Sequence, residues 1–596
     1  MRRFEQYPNL VTMFFRRARE EGDKPFLWRK AGGTWSPISW AEAARRVAGL
    51  AAGLKGLGLA TGDRVMLVSE NRPEWCIADL GIMAAGCVTV PAYTTNTERD
   101  HLHILENSGA AAVIVSSEKL SKTLLPAILR ANDARRVISM EPLRIPQAGE
   151  VSFHLWDDLI ATDADLNALE QELELVGRDQ LACLIYTSGT GGAPRGVRQH
   201  HGAILKNVEG CIEIIEQDFG WSDEVFLSFL PLSHAYEHSG GQFLPIGLGG
   251  QIYYAESLEK LAANIEETRP TIMVVVPRLF EVLRARIVKN IEKQGGLAVR
   301  LLGQALELGS KELEGRKTWR DKPVDLLLDA LFRPKIRKRF GGRMKAMVSG
   351  GAPLNPEIGV FFHSLGLTLL QGYGQTESGP VISCNRPGAG IAMHTVGPPM
   401  KDVEVRIAED GEILCRGELV MHGYWQNDAE TARVLQDGWL HTGDIGHVDD
   451  KGRIVITDRK KDLIVNDKGD NVSPQKVEGM LTLQPEILQA MVYGDRRPYI
   501  VGLILPDPEW TAEWSIANDY RCDFAALADN PMFKSALMTA VDRVNKDLSV
   551  IEKVRRIIVA DAPFSIENEQ LTPSLKIRRH VLKQAYGPRL DGLYKA

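Results

Sequence analysis

The amino-acid sequence predicts an α/β fold in two domains. The first is a large N-terminal domain of mostly parallel sheets with helices and a small β-rich subdomain. The second is a small α+β domain at the C-terminus. The chain has 596 residues, and one hydrophobic core rarely grows beyond about 250–300 residues. Apolar runs alternate with helical patterns over most of the chain, and the pattern changes after Gly397 and again after Asp462.

The alternation is clearest in DRVMLVSENRPEWCIADLGIMAAGCVTVPAY (63–93), where two apolar runs flank a helical pattern. This β–α–β order is typical of a parallel, buried sheet. Further strands of this kind are predicted at 110–117, 136–140, 181–187, 271–277, 344–351 and 367–374.

The later part of the chain departs from this alternation. Residues 278–343 read as a long helical insertion rich in Leu, Lys and Arg. After Gly397, short alternating strands with turns predict the β-rich subdomain. The charged cluster at 458–461 is interpreted as a domain boundary, although by itself it would be read as a solvated turn. A hairpin-like NDKGDNVSP and a shorter α+β pattern follow it.

Composition and charge argue against several classes of protein. The chain is 44% hydrophobic and 25% charged with a formal net charge of −6, so no affinity for nucleic acid is expected. The longest apolar runs are far shorter than the roughly 20 residues that cross a bilayer. Seven scattered cysteines without a C-x-x-C pair predict neither a disulfide framework nor a zinc site. We therefore expect a cytoplasmic enzyme.

The N-terminal residues 1–22 lack the uninterrupted apolar core of a secretory signal. They are predicted to form an amphipathic helix that packs on its own domain, and contact with the inner face of a membrane is the alternative. The pair His200-His201 is predicted to begin a helix rather than to bind metal. The sequence leaves open whether the protein forms a homodimer.

One glycine-rich loop follows a predicted strand in LIYTSGTGGAPRGV (184–197). Backbone N–H groups and hydroxyls suit an anion, and a guanidinium adds a permanent positive charge. A phosphate-binding loop is therefore predicted, and a plain Gly/Ser/Thr turn is the alternative. Its candidate residues are Thr187, Ser188, Gly189, Thr190, Gly191, Gly192 and Arg195.

Two further strands end in similar loops. In MKAMVSGGAPL (344–354), small residues would let a flat base lie against the backbone. In LTLLQGYGQTESG (367–379), a hydroxyl could hold a phosphate oxygen and a carboxylate could hold Mg²⁺, which prefers oxygen ligands. The candidate nucleotide-binding residues of the two loops are Gly351, Ala352, Gln371, Gly372, Tyr373, Gly374 and Thr376, with Glu377 at the metal.

Four motifs occur in an order that resembles the adenylate-forming superfamily of acyl-CoA synthetases, luciferases and peptide-synthetase adenylation domains. They are YTSGTGGAPRGV, GYGQTES, HTGDIGHVDDKGRIVITDRKKDLI and LTPSLKIRR. The stretch FLPLSHAYEHSGG (229–241) and the helical insertion resemble the long-chain fatty acyl-CoA synthetase branch. Gly191 and Arg195 stand where the superfamily usually has threonine and lysine, and His238 stands where the branch often has arginine.

The resemblance implies an ATP-dependent fatty acid–CoA ligase that works through an acyl-adenylate, with fatty acid, ATP and coenzyme A as substrates and Mg²⁺ as cofactor. Lys576, Thr376, Glu377 and His234 are implied as catalytic residues, and Glu377 with Thr187 as the metal site. Asp444 and Arg459 are implied to bind the ribose.

The resemblance also implies that the C-terminal domain is mobile. Residues 1–458 would form the N-terminal domain, 459–461 a hinge containing Lys461, and 462–596 the domain that carries Lys576. Gly469 would border the coenzyme A tunnel after the domain rotates. Two alternatives stay open: transfer of the acyl group to a carrier-protein thiol, and a nucleotide-binding protein without catalysis.

Overall fold

The computed structural model describes residues 6–144, 150–187, 193–521, 524–565, 567–572 and 577–595. The elements up to residue 459 are, in order, α1 (Leu10–Glu21), β1 (Pro25–Ala31), β2 (Thr34–Ser39), α2 (Trp40–Gly56), β3 (Arg64–Val68), α3 (Pro73–Ala84), β4 (Val88–Ala92), α4 (Glu98–Ser108), β5 (Ala110–Val115), α5 (Glu118–Arg130), β6 (Arg136–Ser139), β7 (Ser152–Leu155), α6 (Trp156–Ile160), α7 (Leu166–Leu173), β8 (Leu181–Thr187), β9 (Arg195–His200), α8 (His201–Asp218), β10 (Val225–Ser228), α9 (Ala235–Glu237), a π-helix (His238–Phe243), α10 (Leu244–Leu248), β11 (Gln251–Tyr254), α11 (Leu261–Thr268), β12 (Ile272–Val275), α12 (Pro277–Lys293), α13 (Gly296–Leu313), α14 (Lys322–Leu331), α15 (Arg333–Arg339), β13 (Ala346–Ser349), α16 (Pro356–Ser364), β14 (Leu369–Gly374), β15 (Val381–Cys384), β16 (Glu404–Ile407), β17 (Glu412–Arg416), α17 (Asp428–Val434), β18 (Leu435–Gln436), β19 (Trp439–Val448) and β20 (Ile454–Arg459).

The C-terminal part has shorter elements around its own core. Buried side chains between Ile464 and Leu590 form clusters separate from those up to Ile454. The elements are β21 (Ile464–Val465), β22 (Asn471–Val472), α18 (Pro474–Leu481), β23 (Ile487–Tyr493), β24 (Ile500–Pro506), α19 (Pro508–Ala517), α20 (Phe524–Ala528), α21 (Pro531–Asn545), β25 (Val554–Val559) and α22 (Arg579–Gly592).

Two largely parallel sheets form the body of the N-terminal domain. The first has the order β7-β6-β5-β3-β4-β8-β9, and its edge strand β9 runs antiparallel to β8. The second has the order β15-β14-β13-β12-β10-β11-β1-β2, with antiparallel strands at both edges. All the strands predicted from the apolar runs are present, but they divide between the two sheets. The α/β fold class with mostly parallel sheets is confirmed.

The N-terminal helix α1 packs on its own domain, as predicted. It begins at Leu10 because the Asn9 side chain accepts a hydrogen bond from the Thr12 backbone N–H at 2.7 Å. Its Phe14 ring lies 6.1 Å from Phe26 and 6.0 Å from Trp40, measured between ring centroids. The apolar face of this helix is therefore buried within the protein.

The insertion predicted between 278 and 343 is confirmed as four helices, α12 to α15. Its inner side joins the core of the second sheet, where the Phe280 and Phe362 rings lie 5.2 Å apart. Among the described residues, none of the helices combines the length and the apolar content needed to cross a bilayer.

The β-rich subdomain is also present. Strands β16, β17, β18, β19 and β20 form one antiparallel sheet, in which β19 is the longest strand. In the C-terminal domain, β21 and β22 form the hairpin predicted from NDKGDNVSP, and Gly469 adopts a φ of +86° at its turn. This positive φ favours glycine.

Candidate active site

A cleft of about 2160 Å³ lies at the ends of β8, β13, β14 and β20 and along the first half of β19. Six of the predicted site residues lie outside the described residues: Ser188, Gly189, Thr190, Gly191, Gly192 and Lys576. Thr572 and Ile577, which flank the segment containing Lys576, line the cleft. Gly469 is not among the lining residues. The predicted residues that the cleft brings together are Thr187, Arg195, His234, Gly351, Ala352, Gln371, Gly372, Tyr373, Gly374, Thr376, Glu377, Asp444, Arg459 and Lys461.

The two positions after β13, Gly350 and Gly351, favour glycine for different physical reasons. A Cβ atom on Gly350 would lie 2.7 Å from the Tyr236 ring, which is too close for a side chain. Gly351 has open space around it but adopts a φ of +80°, which side chains disfavour. The Tyr236 hydroxyl donates to the Val348 carbonyl at 2.8 Å and so fixes the ring. Together they leave bare backbone at the cleft wall.

Asp444 is the buried carboxylate at the centre of a three-residue contact. Strands β19 and β20 pair so that Asp444 lies opposite Arg459. The Arg459 Nε–H donates to Asp444 Oδ1 at 2.9 Å, and the Tyr373 hydroxyl donates to Asp444 Oδ2 at 2.8 Å. Each carboxylate oxygen can accept a further hydrogen bond, so both retain capacity for a ligand hydroxyl.

Glu377 and Thr187 line the cleft, and both side chains carry oxygen atoms. The Tyr424 hydroxyl donates to Glu377 Oε1 at 2.8 Å. Thr187 Oγ1 is buried, and no described residue bonds to it. A carboxylate and an unsatisfied hydroxyl are the kind of oxygen donors that Mg²⁺ prefers, so these residues fit the metal.

Arg195 begins β9 and contacts two residues that sequence reasoning did not identify. Its guanidinium pairs with Glu430 and lies 4.6 Å from the centroid of the Tyr424 ring. Arg433 and Arg195 together hold the pKa of Glu430 at about 2, well below the usual value. The Arg195 charge is thus oriented by Glu430, a residue 235 positions away.

An apolar cavity lies directly behind the cleft. Tyr236, Gly372 and Val381 line both spaces. The two lining side chains that are most polar are satisfied by the protein: Asn207 donates to the Ser378 carbonyl at 3.2 Å, and Ser239 donates to the Gly379 carbonyl at 3.1 Å. The remaining wall includes Val208, Cys211, Ile214, Ile215, Phe219, Leu244, Ile272, Val274, Ala346, Val348 and Leu370.

A buried polar cluster supports the helix that lines this cavity. His238 Nε2 lies 2.8 Å from Asp79 Oδ2, and the Gln242 amide donates to the same oxygen at 2.7 Å. Glu237, the preceding residue, accepts a hydrogen bond from the Ser228 hydroxyl at 2.6 Å. Burial raises the pKa of the Glu237 carboxyl to about 8, so it is protonated near neutral pH.

Glu237→Gln is expected to remove a pH dependence of stability. Between its ordinary pKa and about 8, the folded state keeps the Glu237 proton while the unfolded state releases it. Stability therefore falls as pH rises through this window, by about 1.4 kcal/mol per unit of pKa difference and a few kcal/mol in all. Thermal unfolding of parent and variant from pH 5 to pH 9 measures it.

The variant should gain stability relative to the parent as pH rises through this window. Glu292→Gln, at an exposed position on α12, serves as the control and should follow the parent. Parallel curves for the parent and Glu237→Gln would contradict the assignment.

The pair His200-His201 does begin a helix, as predicted. His200 Nδ1 accepts from the Ala203 backbone N–H at 3.2 Å and caps α8. The His200 and His422 rings stack 4.0 Å apart, with Asp179 nearby. Because the His200 nitrogens also lie 3.0 Å and 3.2 Å from the Arg178 and Val420 carbonyls, we assign this group no metal.

Comparison with known proteins places the chain in a family. The model of the AMP-binding enzyme family matches residues 14–425, and that of the AMP-binding enzyme C-terminal domain matches residues 461–596. A long-chain-fatty-acid–CoA ligase of Mycobacterium bovis, FadD15, is 31% identical over 99% of this chain and 97% of its own. The peroxisomal long chain acyl-CoA synthetase 6 of Arabidopsis thaliana is 29% identical over 100% of this chain and 87% of its own.

Solved structures share the fold. The adenylation domain of a carboxylate reductase from Mycobacterium chelonae superposes with a TM-score of 0.74 at 21% identity, covering 99% of this chain and 92% of that one. The anthranilate CoA ligase AuaEII, solved with anthranoyl-AMP, gives a TM-score of 0.71 at 20% identity over 98% of each chain. With family models matched to both parts of the chain and a full-length relative above 30% identity, this protein belongs to the AMP-binding enzyme family.

Proposed function

We propose that this protein is an ATP-dependent fatty acid–CoA ligase that forms AMP and pyrophosphate. One observation carries the proposal: an apolar cavity shares Tyr236, Gly372 and Val381 with the candidate cleft. The cavity has a volume of about 80 Å³ in this structure, so it would hold the first methylene groups of an aliphatic chain while the carboxylate faces the cleft. The names of the full-length relatives, which are long-chain acyl ligases, support the chain-length class.

The first step joins two anions. A carboxylate oxygen of the acid attacks the α-phosphorus of ATP, the bond to the β,γ-phosphates breaks, and pyrophosphate leaves. Unit charges about 4 Å apart repel by about 4 kcal/mol at an effective dielectric near 20. Positive charge at the point of attack is therefore needed, and Lys576 is proposed to supply it.

The nucleotide would be held by the residues that line the cleft. The loop at 188–192 and Arg195 are proposed to bind the β- and γ-phosphates. The base would lie against the bare backbone at Gly351 and Ala352, and the ribose hydroxyls would donate to Asp444. When phosphate is bound, Arg195 would share its charge between Glu430 and the anion.

Mg²⁺ would be held by Glu377 and Thr187, which both line the cleft and carry oxygen atoms of the kind the ion prefers. The ion supplies charge neutralisation to the triphosphate when bound. Thr376, next to Glu377, would bind a phosphate oxygen, and His234 would contact the substrate carboxylate.

Glu377→Gln is expected to raise the Mg²⁺ concentration for half-maximal adenylation by about tenfold or more, because a metal ligand loses its charge. Glutamine keeps an oxygen that can accept from the Tyr424 hydroxyl, so the local structure should persist. Tyr424→Phe is the matched control that removes the hydrogen bond and keeps the carboxylate. Superimposable Mg²⁺ titrations of Glu377→Gln and parent would remove Glu377 from the metal site.

In the second step, the thiolate of coenzyme A attacks the acyl carbonyl and AMP leaves. We propose that the C-terminal domain, residues 462–596, rotates about 459–461 between the steps, with Lys461 at the hinge. Gly469 would then replace Lys576 at the cleft. Its position outside the cleft in this structure, where a Cβ atom would meet no neighbouring atom within 4 Å, is compatible with such a rotation.

The proposed function is tested by incubating the protein with ATP, coenzyme A and saturated acids of graded chain length. AMP and acyl thioester should appear in equal amounts and only when all three substrates are present. Formation of AMP with a carrier-protein thiol but not with coenzyme A would favour the alternative acceptor. No AMP from any acid would overturn the proposal. Function in the cytoplasm, contact with a membrane surface and dimer formation stay predictions.

A further inference from the structure

Helix α14 turns an apolar stripe toward solvent. Leu326, Leu327 and Leu331 are 70%, 48% and 59% exposed. Pro323 and Ala330 are exposed on the same face, since residues spaced by three or four positions share one side of a helix. Surface helices of globular proteins usually bury this face, so an unpartnered stripe of this kind marks an interaction surface. We call the face formed by these five residues the α14 stripe.

An aromatic side chain extends the stripe at its N-terminal end. Trp319 is 74% exposed, and the Arg320 guanidinium lies 5.5 Å from its ring centroid. Trp and Arg are both suited to the boundary between water and lipid, because each joins an apolar body to a polar group. A solvent-exposed tryptophan beside a leucine stripe is therefore a second indication of interfacial binding.

The charge around the α14 stripe is strongly positive. Residues 316–343 contain ten Lys or Arg and three Asp or Glu in a chain whose net charge is −6. Two of these cations, Arg316 and Lys317, pair with Glu314 and Glu312 just before the segment, and the others still outnumber its carboxylates. Arg320 and Lys322 lie at the start of the stripe, and Lys335 and Lys338 follow its end. These four residues are exposed and form no ion pair within 4.0 Å with any other described residue.

The acidic residues of this segment are neutralised within the protein. Asp325 pairs with Lys317 at 2.8 Å and with Arg333 at 2.8 Å. Asp329 pairs with Arg337 at 2.5 Å and lies 3.3 Å from Arg333. Asp325 and Asp329 are four positions apart and share one side of α14, the side on which both carboxylates are paired. The exposed charge next to the stripe is thus basic.

The charge decides which occupant fits. A second copy of this face would bring Arg320, Lys322, Lys335 and Lys338 of both copies together, which like-charge repulsion disfavours. An anionic phospholipid surface offers negative charge to the lysines and an apolar layer to the leucines. We propose that the α14 stripe, with Trp319 and its basic neighbours, docks the protein on an anionic lipid bilayer. The helix would lie in the plane of the interface.

The proposal is tested by co-sedimenting the full-length protein with vesicles of phosphatidylcholine alone or with phosphatidylglycerol. The parent should bind the anionic vesicles, and binding should weaken as salt is added. The double variant Leu326→Glu/Leu327→Glu should bind the anionic vesicles at least about tenfold more weakly than the parent, because both apolar side chains are removed from the lipid. Leu175→Glu, at a leucine that is 86% exposed outside the insertion, is the matched control and should bind like the parent.

Two further measurements make the test specific. Lys322→Glu/Lys335→Glu should weaken binding to anionic vesicles about tenfold. Brominated lipids should quench the fluorescence of the parent more than that of Trp319→Phe, because the ring lies at the lipid boundary. Since every substituted side chain is exposed, the variants should fold, and unchanged unfolding temperatures verify this.

Several results would overturn the proposal. One is a parent that does not bind anionic vesicles. Another is a Leu326→Glu/Leu327→Glu variant that binds as well as the parent. A dimer that the same variant dissociates, without vesicle binding by the parent, would assign the stripe to a second copy. Ligase activity is measured separately in the absence of vesicles, so failure of lipid docking and failure of the proposed function are distinguishable.

Discussion

Lys576→Ala is expected to slow formation of the acyl-adenylate by about 10²- to 10³-fold while thioester formation from supplied acyl-adenylate stays near the parent rate. The loss corresponds to removing one charge-assisted contact that is made mainly in the transition state. Lys576 lies outside the described residues, but the residues flanking its segment, Thr572 and Ile577, line the cleft. Pyrophosphate release from acid and ATP measures the first step.

A substitution at Gly469 is expected to have the opposite effect to Lys576→Ala: the second step slows and the first is spared. A Gly469→Trp substitution should slow transfer to coenzyme A and leave pyrophosphate release nearly intact, because its side chain would block the thiol only after rotation. The φ of +86° adds strain, so the unfolding temperature is measured in parallel. Equal damage to both steps in Lys576→Ala would contradict the rotating-domain account for this chain.

Asp444→Ala is expected to raise the KM for ATP by about 10- to 100-fold, because two hydrogen bonds from the ribose to a charged acceptor are lost. The substitution also leaves the Arg459 guanidinium and the Tyr373 hydroxyl without their acceptor. Because Arg459 is partly exposed, we expect a loss of stability of about 1–3 kcal/mol. Steady-state kinetics in ATP and thermal unfolding measure the two effects.

The shift in unfolding temperature caused by AMP distinguishes the effect of Asp444→Ala on nucleotide binding from its effect on folding stability. AMP should raise the unfolding temperature of the parent and raise that of Asp444→Ala much less. Asp444→Asn, which keeps one carbonyl acceptor, should be intermediate. If AMP stabilises parent and Asp444→Ala by the same amount, Asp444 does not bind the nucleotide.

The existence and type of the main elements could be predicted because they depend on local patterns. The strands at 64–68 and 88–92 follow from apolar runs, and the insertion helices follow from helical periodicity. The division of the strands between two sheets could not be predicted. Strand β8 pairs with β4, whereas β13 pairs with β12, and nothing in the individual runs encodes that choice.

The candidate site shows the same limit. Thr187, Glu377 and Asp444 could be identified because each lies in a short motif whose chemistry is recognisable. Tyr424 and Glu430 were missed, because their roles depend on contacts with Glu377 and Arg195 across long sequence separations. The HGYW sequence around Tyr424 offered only an aromatic residue near glycine, which is a weak signal.

The sequence by itself determined the α/β class, the glycine loops at strand ends and the net charge. Only the tertiary structure decided that the apolar cavity lies beside the candidate cleft and that the leucines of α14 face solvent. Both α1 and α14 have an apolar face in sequence, yet α1 buries its face and α14 exposes it. A helical pattern fixes which residues share a face, while the direction of that face depends on the elements that pack against it.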